Sequence, residues 1–400
     1  MKSRFLFIFL ALAIIVPASS FAKKKITMPT ARAAYHNNQG ISYLNKKQLD
    51  HAELEFKTAI ELSPEYVEAY NNLGVVYKLK GQLKRAAAQF NKAIKLDKHY
   101  AGAYSHLGAV YLAEGKTDEA IKVIKKALKK EGTLADAHYQ LGLAYLQKTK
   151  ESKDKDFIQL AENSLKRATE LNPNLTHVHK LLAQIYEEQG ELEKAQIRYR
   201  LALADKPSSV EGWLKLGHLY LERNEPHKAQ NCFLKALEID PLSTEAHMEL
   251  GLYYVNQGKF QDAANEFKSV TTISPNSEIA WFRLGTTYLS QGKLAESQNA
   301  LRQAKKINPN FADASFNLGL TLYKQGKTIL AQREWEYTVN IAPNHPRALY
   351  NLANLYQLRG QAAGASQMYC RFIKAAGTNF PSEVKIVKNK LKGSEVSCQD

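Results

Sequence analysis

Apolar residues recur along this chain at three- and four-residue spacing, in paired runs of three to four helical turns separated by short polar turns. Residues 213–241, WLKLGHLYLERNEPHKAQNCFLKALEIDP, show one such pair. Its small residues are placed regularly, with Gly217 in the first run and Ala229 and Ala236 in the second. The spacing predicts two amphipathic helices, and the small residues predict that the helices approach closely. Pro241 ends the pair because proline cannot continue a helix.

The same choices return every 34 residues, at Gly217, Gly251, Gly285 and Gly319, and earlier at Gly40, Gly74, Gly108 and Gly142. Three residues after seven of these glycines stands a tyrosine (Tyr43 and Tyr220, for example), and Tyr186 and Tyr356 follow Ala183 and Ala353 in the same way. Gly81, Gly115, Gly190, Gly258, Gly292, Gly326 and Gly360 mark the turns between paired helices, with Asn224 in that slot of the stretch above and Pro226 at the start of the next helix. A left-handed residue is predicted at each of these turns. One pair cannot bury its apolar face alone, so the pairs must stack into an all-α solenoid.

Ten units fit between residues 33 and 379: 33–66, 67–100, 101–134, 135–175 with an insertion, 176–209, 210–243, 244–277, 278–311, 312–345 and 346–379. The insertion falls around QKTKESKDKD and predicts a lengthened helix pair or an exposed bulge. Residues 380–393 read as a capping helix with Val384, Ile386, Val387 and Leu391 towards the array, followed by a tail at 394–400.

The series of an aromatic residue, Leu-Gly, Tyr, Ala, Phe, Ala and Pro resembles the tetratricopeptide repeat (TPR). In the sixth unit it runs Trp213, Leu216, Gly217, Tyr220, Ala229, Phe233, Ala236, Pro241. The resemblance implies a right-handed superhelix whose concave groove binds peptides or partner proteins, and it implies no reaction. It places in the groove Leu214, Met248, Phe282, Phe316 and Tyr350, then His218, Leu252, Thr286, Leu320 and Asn354, then Leu221, Val255, Leu289, Tyr323 and Gln357. Spacings of four and three put each trio on one helix face. The row suits an extended or helical apolar segment; partial packing against neighbouring helices is the plainer reading of the same residues. Members that grip a terminal carboxylate use lysine, asparagine and arginine in set slots; here Asn37, Ile41 and Asn72 stand in the corresponding ones, so that clamp is not expected.

Residues 1–22 read as a secretory signal: a basic start, the apolar run at residues 5–16, and Ser20 and Ala22 before the expected cleavage point. An uncleaved anchor is the alternative. Residues 23–32 form a linker. With no cysteine before Cys232, a lipid anchor at the cleavage point is not expected. The expected location is periplasmic or secreted, with no membrane span after cleavage.

The formal charge is +16, which favours acidic neighbours. Residues 76–130 hold 13 Lys or Arg against 4 acids, and Lys122, Lys125, Lys126, Lys129 and Lys130 form a stripe opposite Ile121, Ile124 and Leu128. A solvated outer face and a contact with an acidic partner or anionic surface both fit it. Nucleic acid is not an expected partner of an exported chain.

Three cysteines do not make a disulfide scaffold. An oxidising compartment permits a Cys370–Cys398 bridge tying the cap to the last unit, whereas a polar terminal tail is often disordered. The histidines include His36, His138, His179 and His247 in the aromatic slot, where packing is the expected role, and they form no metal-ligand pattern. No nucleophile motif, phosphate loop or pair of carboxylates at a meaningful spacing is present.

The sequence therefore predicts a protein-binding scaffold of the cell envelope, with no enzyme activity, cofactor or metal. Two other settings remain open, an accessory role in type IV pilus or secretin assembly and a carbohydrate- or surface-binding module.

Overall fold

The computed structural model describes residues 28–392 and Cys398; the proposed signal and most of the tail lie outside the described residues. Among the described residues the chain forms 21 α-helices and no strand. It divides into two compact units at Val178/His179, inside the first turn of α9. The first unit contains α1 (Ala31–Asn45), α2 (Leu49–Leu62), α3 (Val67–Leu79), α4 (Leu83–Leu96), α5 (Ala101–Ala113), α6 (Thr117–Lys130), α7 (Ala135–Ser152) and α8 (Asp156–Leu171). Next come α9 (Thr176–Glu188), α10 (Leu192–Asp205), α11 (Val210–Glu222), α12 (Pro226–Ile239), α13 (Thr244–Asn256), α14 (Phe260–Ile273) and α15 (Glu278–Ser290). The series ends with α16 (Leu294–Ile307), α17 (Ala312–Lys324), α18 (Thr328–Ile341), α19 (Pro346–Leu358), α20 (Ala362–Ala376) and α21 (Pro381–Lys392). Odd and even helices pair from α1–α2 to α7–α8 and from α11–α12 to α19–α20, Tyr199 of α10 bonds to Glu187 of α9, and each even helix packs on the odd helix that follows in the same unit.

The contact inside each pair is tighter than the sequence alone indicates. The glycine faces the large side chain of the second helix and not chiefly its alanine. A Cβ at Gly251 would lie 2.4 Å from Cε1 of Phe267, and one at Gly217 equally close to Phe233. Ile124, Leu165, Leu301 and the Trp335 indole face Gly108, Gly142, Gly285 and Gly319 in the same way. These facing side chains are buried, and each contributes about 1.5–3 kcal/mol of apolar burial. Where alanine replaces glycine, at Ala183 and Ala353, the corresponding residue sixteen positions on is Tyr199 or Tyr369. Their hydroxyls donate to Glu187, and to Asn354 and Gln357.

The turns follow from backbone bookkeeping. Gly258 has φ +70° and Asn224 has φ +58°. Each lets the next amide reach back into the helix, as Lys259 N–H does to the Tyr254 carbonyl at 2.9 Å. Orphaned carbonyls at the helix end are thereby satisfied.

The aromatic slot has a second role. Its side chain donates to the carbonyl of the residue six places earlier: Trp213 to Pro207 and Trp281 to Pro275 at 2.8 Å, Tyr70 to Pro64 at 3.2 Å, His247 to Pro241 at 3.1 Å. Ser315 and Leu349 occupy this slot in repeats nine and ten and cannot reach. There the second helix supplies the donor, Tyr337 to Pro309 at 3.1 Å and Arg371 to Pro343 at 2.9 Å. The slot also matches the residue nineteen places on: His36 meets Glu55 and His247 meets Glu266, whereas the bulky Trp213 and Trp281 have Cys232 and Ala300 there.

The insertion is absorbed as a lengthened pair. Helices α7 and α8 have 18 and 16 residues, where α5 and α6 have 13 and 14. In α21, Val387 and Leu391 are buried and Val384 packs on the same core, but Ile386 is 48% exposed and does not face the array. Positions 384, 387 and 391 share a helix face that 386 does not. Lys390 Nζ donates to Asn354 Oδ1 at 3.1 Å and to Gln357 Oε1 at 3.0 Å, fixing the helix on repeat ten. Cys370 and Cys398 form a disulfide.

Two outcomes follow from this packing. Gly251→Leu is expected to cost about 1–3 kcal/mol or more, with hydrogen-exchange protection lost first in α13 and α14; uniform loss along the chain would contradict a repeat-by-repeat core. Reducing the disulfide, or Cys398→Ser, is expected to lower stability by up to about 3 kcal/mol in the chain-entropy account, with extra exchange concentrated in α21. Unchanged exchange in α21 would show that the bond does not hold the cap.

Candidate functional site

The candidate site lies on the first helices of repeats six to ten, all within the second unit. The structure separates the predicted residues into three groups. Leu214 and Phe316 are 6% and 5% exposed and belong to the core, which removes them from any binding surface. Phe316 is closed over by its neighbours; its ring lies 4.9 Å from His345 and its carbonyl accepts from Trp335. Met248, Leu252, Val255, Phe282, Leu289, Leu320 and Tyr350 are half-buried. Leu221 and Tyr323 are 38% and 40% exposed.

The half-buried residues have packed undersides. Met248, Leu252 and Val255 rest on a core of Ala263, Ala264, Phe267, Leu284 and Ala300. Phe282 leans on Phe311, with ring centroids 4.9 Å apart, and Tyr350 on Phe372 at 5.2 Å. Tyr323 lies 5.7 Å from Trp335. Their bases are held and their remaining surface is open, which gives a binding row with little freedom to lose on contact.

The groove slots supplied by the family resemblance leave out one open apolar residue. Ile279 is 45% exposed and stands three residues before Phe282, so Ile279, Phe282, Thr286 and Leu289 share a face of α15. The three- and four-residue spacing along that face is the sequence signal that points to it. The polar edge includes Arg283, whose guanidinium lies 5.9 Å from the Phe282 ring, and His218, whose Nε2 is 3.4 Å from Glu249 Oε1.

The first unit uses the equivalent helix faces differently. Asn72 Nδ2 donates to Asn37 Oδ1 at 3.0 Å, and Ser105 Oγ donates to Asp136 at 2.7 Å. Burial pushes the His106 pKa down, aided by Lys78 and opposed by Asp136. Nδ1 of the ring donates to Asn71 Oδ1 at 2.8 Å. Asn37, Asn71 and Ser105 are buried, and the ladder occupies them. Ile41, 38% exposed, stands among them.

A cleft of about 360 Å³ opens between α10, α11 and α12, lined by Leu203, Trp213, Leu216 and Cys232 with Arg200 and Lys228 among its polar lining. It exists where Ala204 and Cys232 are short. Burial pushes the Cys232 thiol up to about 12, so it is not a ready nucleophile. Among the described residues no His, Cys, Asp or Glu cluster could hold a metal, and no helix is long and apolar enough to cross a membrane.

Comparison with known proteins agrees with this geometry. The TPR repeat model matches residues 40–81, 76–115, 110–148 and 285–326, and a second tetratricopeptide repeat model matches 346–369. The middle TPR-like domain of cilia and flagella-associated protein 70 matches 179–293. No curated protein gives a significant sequence match. Among solved structures, YrrB, a TPR protein with an unusual peptide-binding site, is 28% identical over 48% of this chain and 95% of its own, with a TM-score of 0.38. PilW, a type IV pilus biogenesis factor, is 20% identical over 54% of this chain and 98% of its own, at 0.45. The C-terminal part of a TPR repeat-containing protein from Cytophaga hutchinsonii is 14% identical over 57% of this chain and 93% of its own, at 0.50, and shares the fold. Helix pairs recurring every 34 residues, glycines seated under large side chains, and repeat-model matches that touch all ten repeats lead to one assignment: the chain belongs to the tetratricopeptide repeat family.

Proposed function

We propose that this protein is a non-enzymatic interaction scaffold of the cell envelope, periplasmic or secreted, that holds an apolar segment of a partner protein along the first helices of repeats seven to nine. The observation that carries this reading is the row of half-exposed apolar side chains at Leu252, Val255, Phe282, Leu289 and Leu320, extended by Ile279 and Tyr323. Exposed apolar surface in a continuous row is a feature of interaction sites. The N-terminal signal reading supports export, and the Cys370–Cys398 bridge suits an oxidising compartment. An exported array of this kind suits the assembly of envelope machinery, type IV pili and secretins included.

The pH response of the row follows from His218. Its hydrogen bond to Glu249 raises the pKa above the ordinary histidine value, against the effects of burial and of Lys215. Raising a histidine's pKa on folding means that the charged pair contributes fully below the unfolded value of about 6.5. The contribution fades as pH rises through the higher folded value.

Site-specific photo-crosslinking tests the row. p-Benzoylphenylalanine in place of Tyr323 is expected to trap a discrete protein, while the same probe in place of the exposed Arg333 on α18 traps none. Adding Leu252→Ala and Phe282→Ala is expected to cut trapping at least tenfold with unchanged circular dichroism. Equal trapping at both positions, or trapping that survives the double substitution, would refute the site. For His218, proton NMR is expected to give a titration midpoint above 6.5 that falls in Glu249→Gln; a midpoint at or below the free value contradicts the pair.

A further inference from the structure

Helices α4 and α6 carry a surplus of exposed positive charge outside the groove. Lys84, Arg85, Lys92 and Lys95 on α4 and Lys122, Lys125, Lys126, Lys129 and Lys130 on α6 are all exposed. Helix α4 contains no acidic residue. In α6 the acids Asp118 and Glu119 are confined to the first turn, and Asp118 is engaged by Lys148 at 2.8 Å. Asp97 and Glu131 follow the helix ends. Among the described residues none of these nine cations has an ion pair, whereas nearby Lys57, Lys116 and Lys148 each have one and Lys80 has two. Lys92, Lys125 and Lys130 lie over Tyr70, Tyr145 and Tyr104, with ammonium-to-centroid distances of 5.8, 5.7 and 5.2 Å.

The repeat sets these charges in register. Lys92 and Lys126 occupy one position of consecutive repeats, and Lys95 and Lys129 another. The patch is bounded on both sides. In repeat one the same positions hold Thr58 and Glu61, and in repeat four Arg167 and Glu170, paired at 2.9 Å.

Stability does not explain such a patch, because unpaired like charges weaken a compact fold. Nor does it suit a folded protein partner. None of the exposed large hydrophobic residues lies on α4 or α6, so the face lacks the apolar anchors that dominate protein interfaces. Eight of the nine cations are lysines. Lysine is a mobile point charge, while the planar fork of arginine is favoured where nucleic acid is recognised. A lysine lattice without anchors matches a fluid, charged surface. On the signal reading of residues 1–22, the chain also meets a membrane during export.

We propose that the outer faces of α4 and α6 dock the array onto an anionic phospholipid bilayer, their ammonium groups meeting lipid phosphates. The test is sedimentation of the full chain with phosphatidylcholine vesicles containing roughly one-third phosphatidylglycerol, beside pure phosphatidylcholine vesicles. Each lysine near an anionic surface strengthens partitioning by about fivefold. Lys122→Gln, Lys126→Gln and Lys129→Gln together are therefore expected to weaken binding by roughly a hundredfold. Wild-type binding should fall as salt is raised, and the variant should melt no lower than wild type. Both proteins keep the same N-terminal residues, so the difference reports on the patch. Equal binding to neutral vesicles, an unaffected triple variant, or displacement of the wild type from vesicles by duplex DNA would each overturn the proposal.

Discussion

Every repeat depends on one steric condition: the first helix must have no side chain, or a very small one, where it crosses the large residue of the second. A Cβ at Gly251 would sit 2.4 Å from the Phe267 ring, inside any tolerable contact, so helix separation is set by bare backbone lying on a ring face. Once that separation is fixed, Tyr254 and its counterparts fall at the seam between repeats, and the turn has only enough length for a left-handed residue. Stacking follows, because one pair leaves most of its apolar surface open. Substitutions in this slot are tolerated as matched sets, as with Ala183 and Tyr199.

A second condition governs the joints. The carbonyl that closes each repeat is left without a helical partner, and an unpaired backbone carbonyl is costly when enclosed. Six residues on, an aromatic or histidine tip satisfies it in most of the repeats described. Where the slot holds Ser315 or Leu349, Tyr337 or Arg371 satisfies it from the other helix. The requirement is thus for a donor at a place, and the residue that provides it can change.

The two units spend the equivalent helix face in different ways. In the first, Asn37, Asn71, Asn72, Ser105 and His106 bond to one another or to Asp136, leaving little polar capacity for a ligand. In the second, apolar residues replace them and cannot satisfy each other by hydrogen bonding, so surface remains open from Leu252 to Tyr323. Chemistry available to a partner is therefore apolar in the second unit. On the first unit it is cationic, on the outer faces of α4 and α6.

The sequence by itself determined the helices, their pairing, the turns and the repeat length, because these follow from local spacing and from the sizes of residues repeated ten times. The family resemblance, and not the period, pointed to the helix face on which the candidate site lies. Only the tertiary structure decided which members of that face are open. Leu214 and Leu221 sit on one helix face, yet one is 6% and the other 38% exposed; exposure depends on what the adjacent helices place above each residue, which period alone does not encode. The same holds for Ile386, which the apolar pattern sends inward and the packing of Val387 and Leu391 turns outward. It holds also for the bond between Cys370 and Cys398, whose formation depends on where the cap brings the tail, a distance in space and not along the chain.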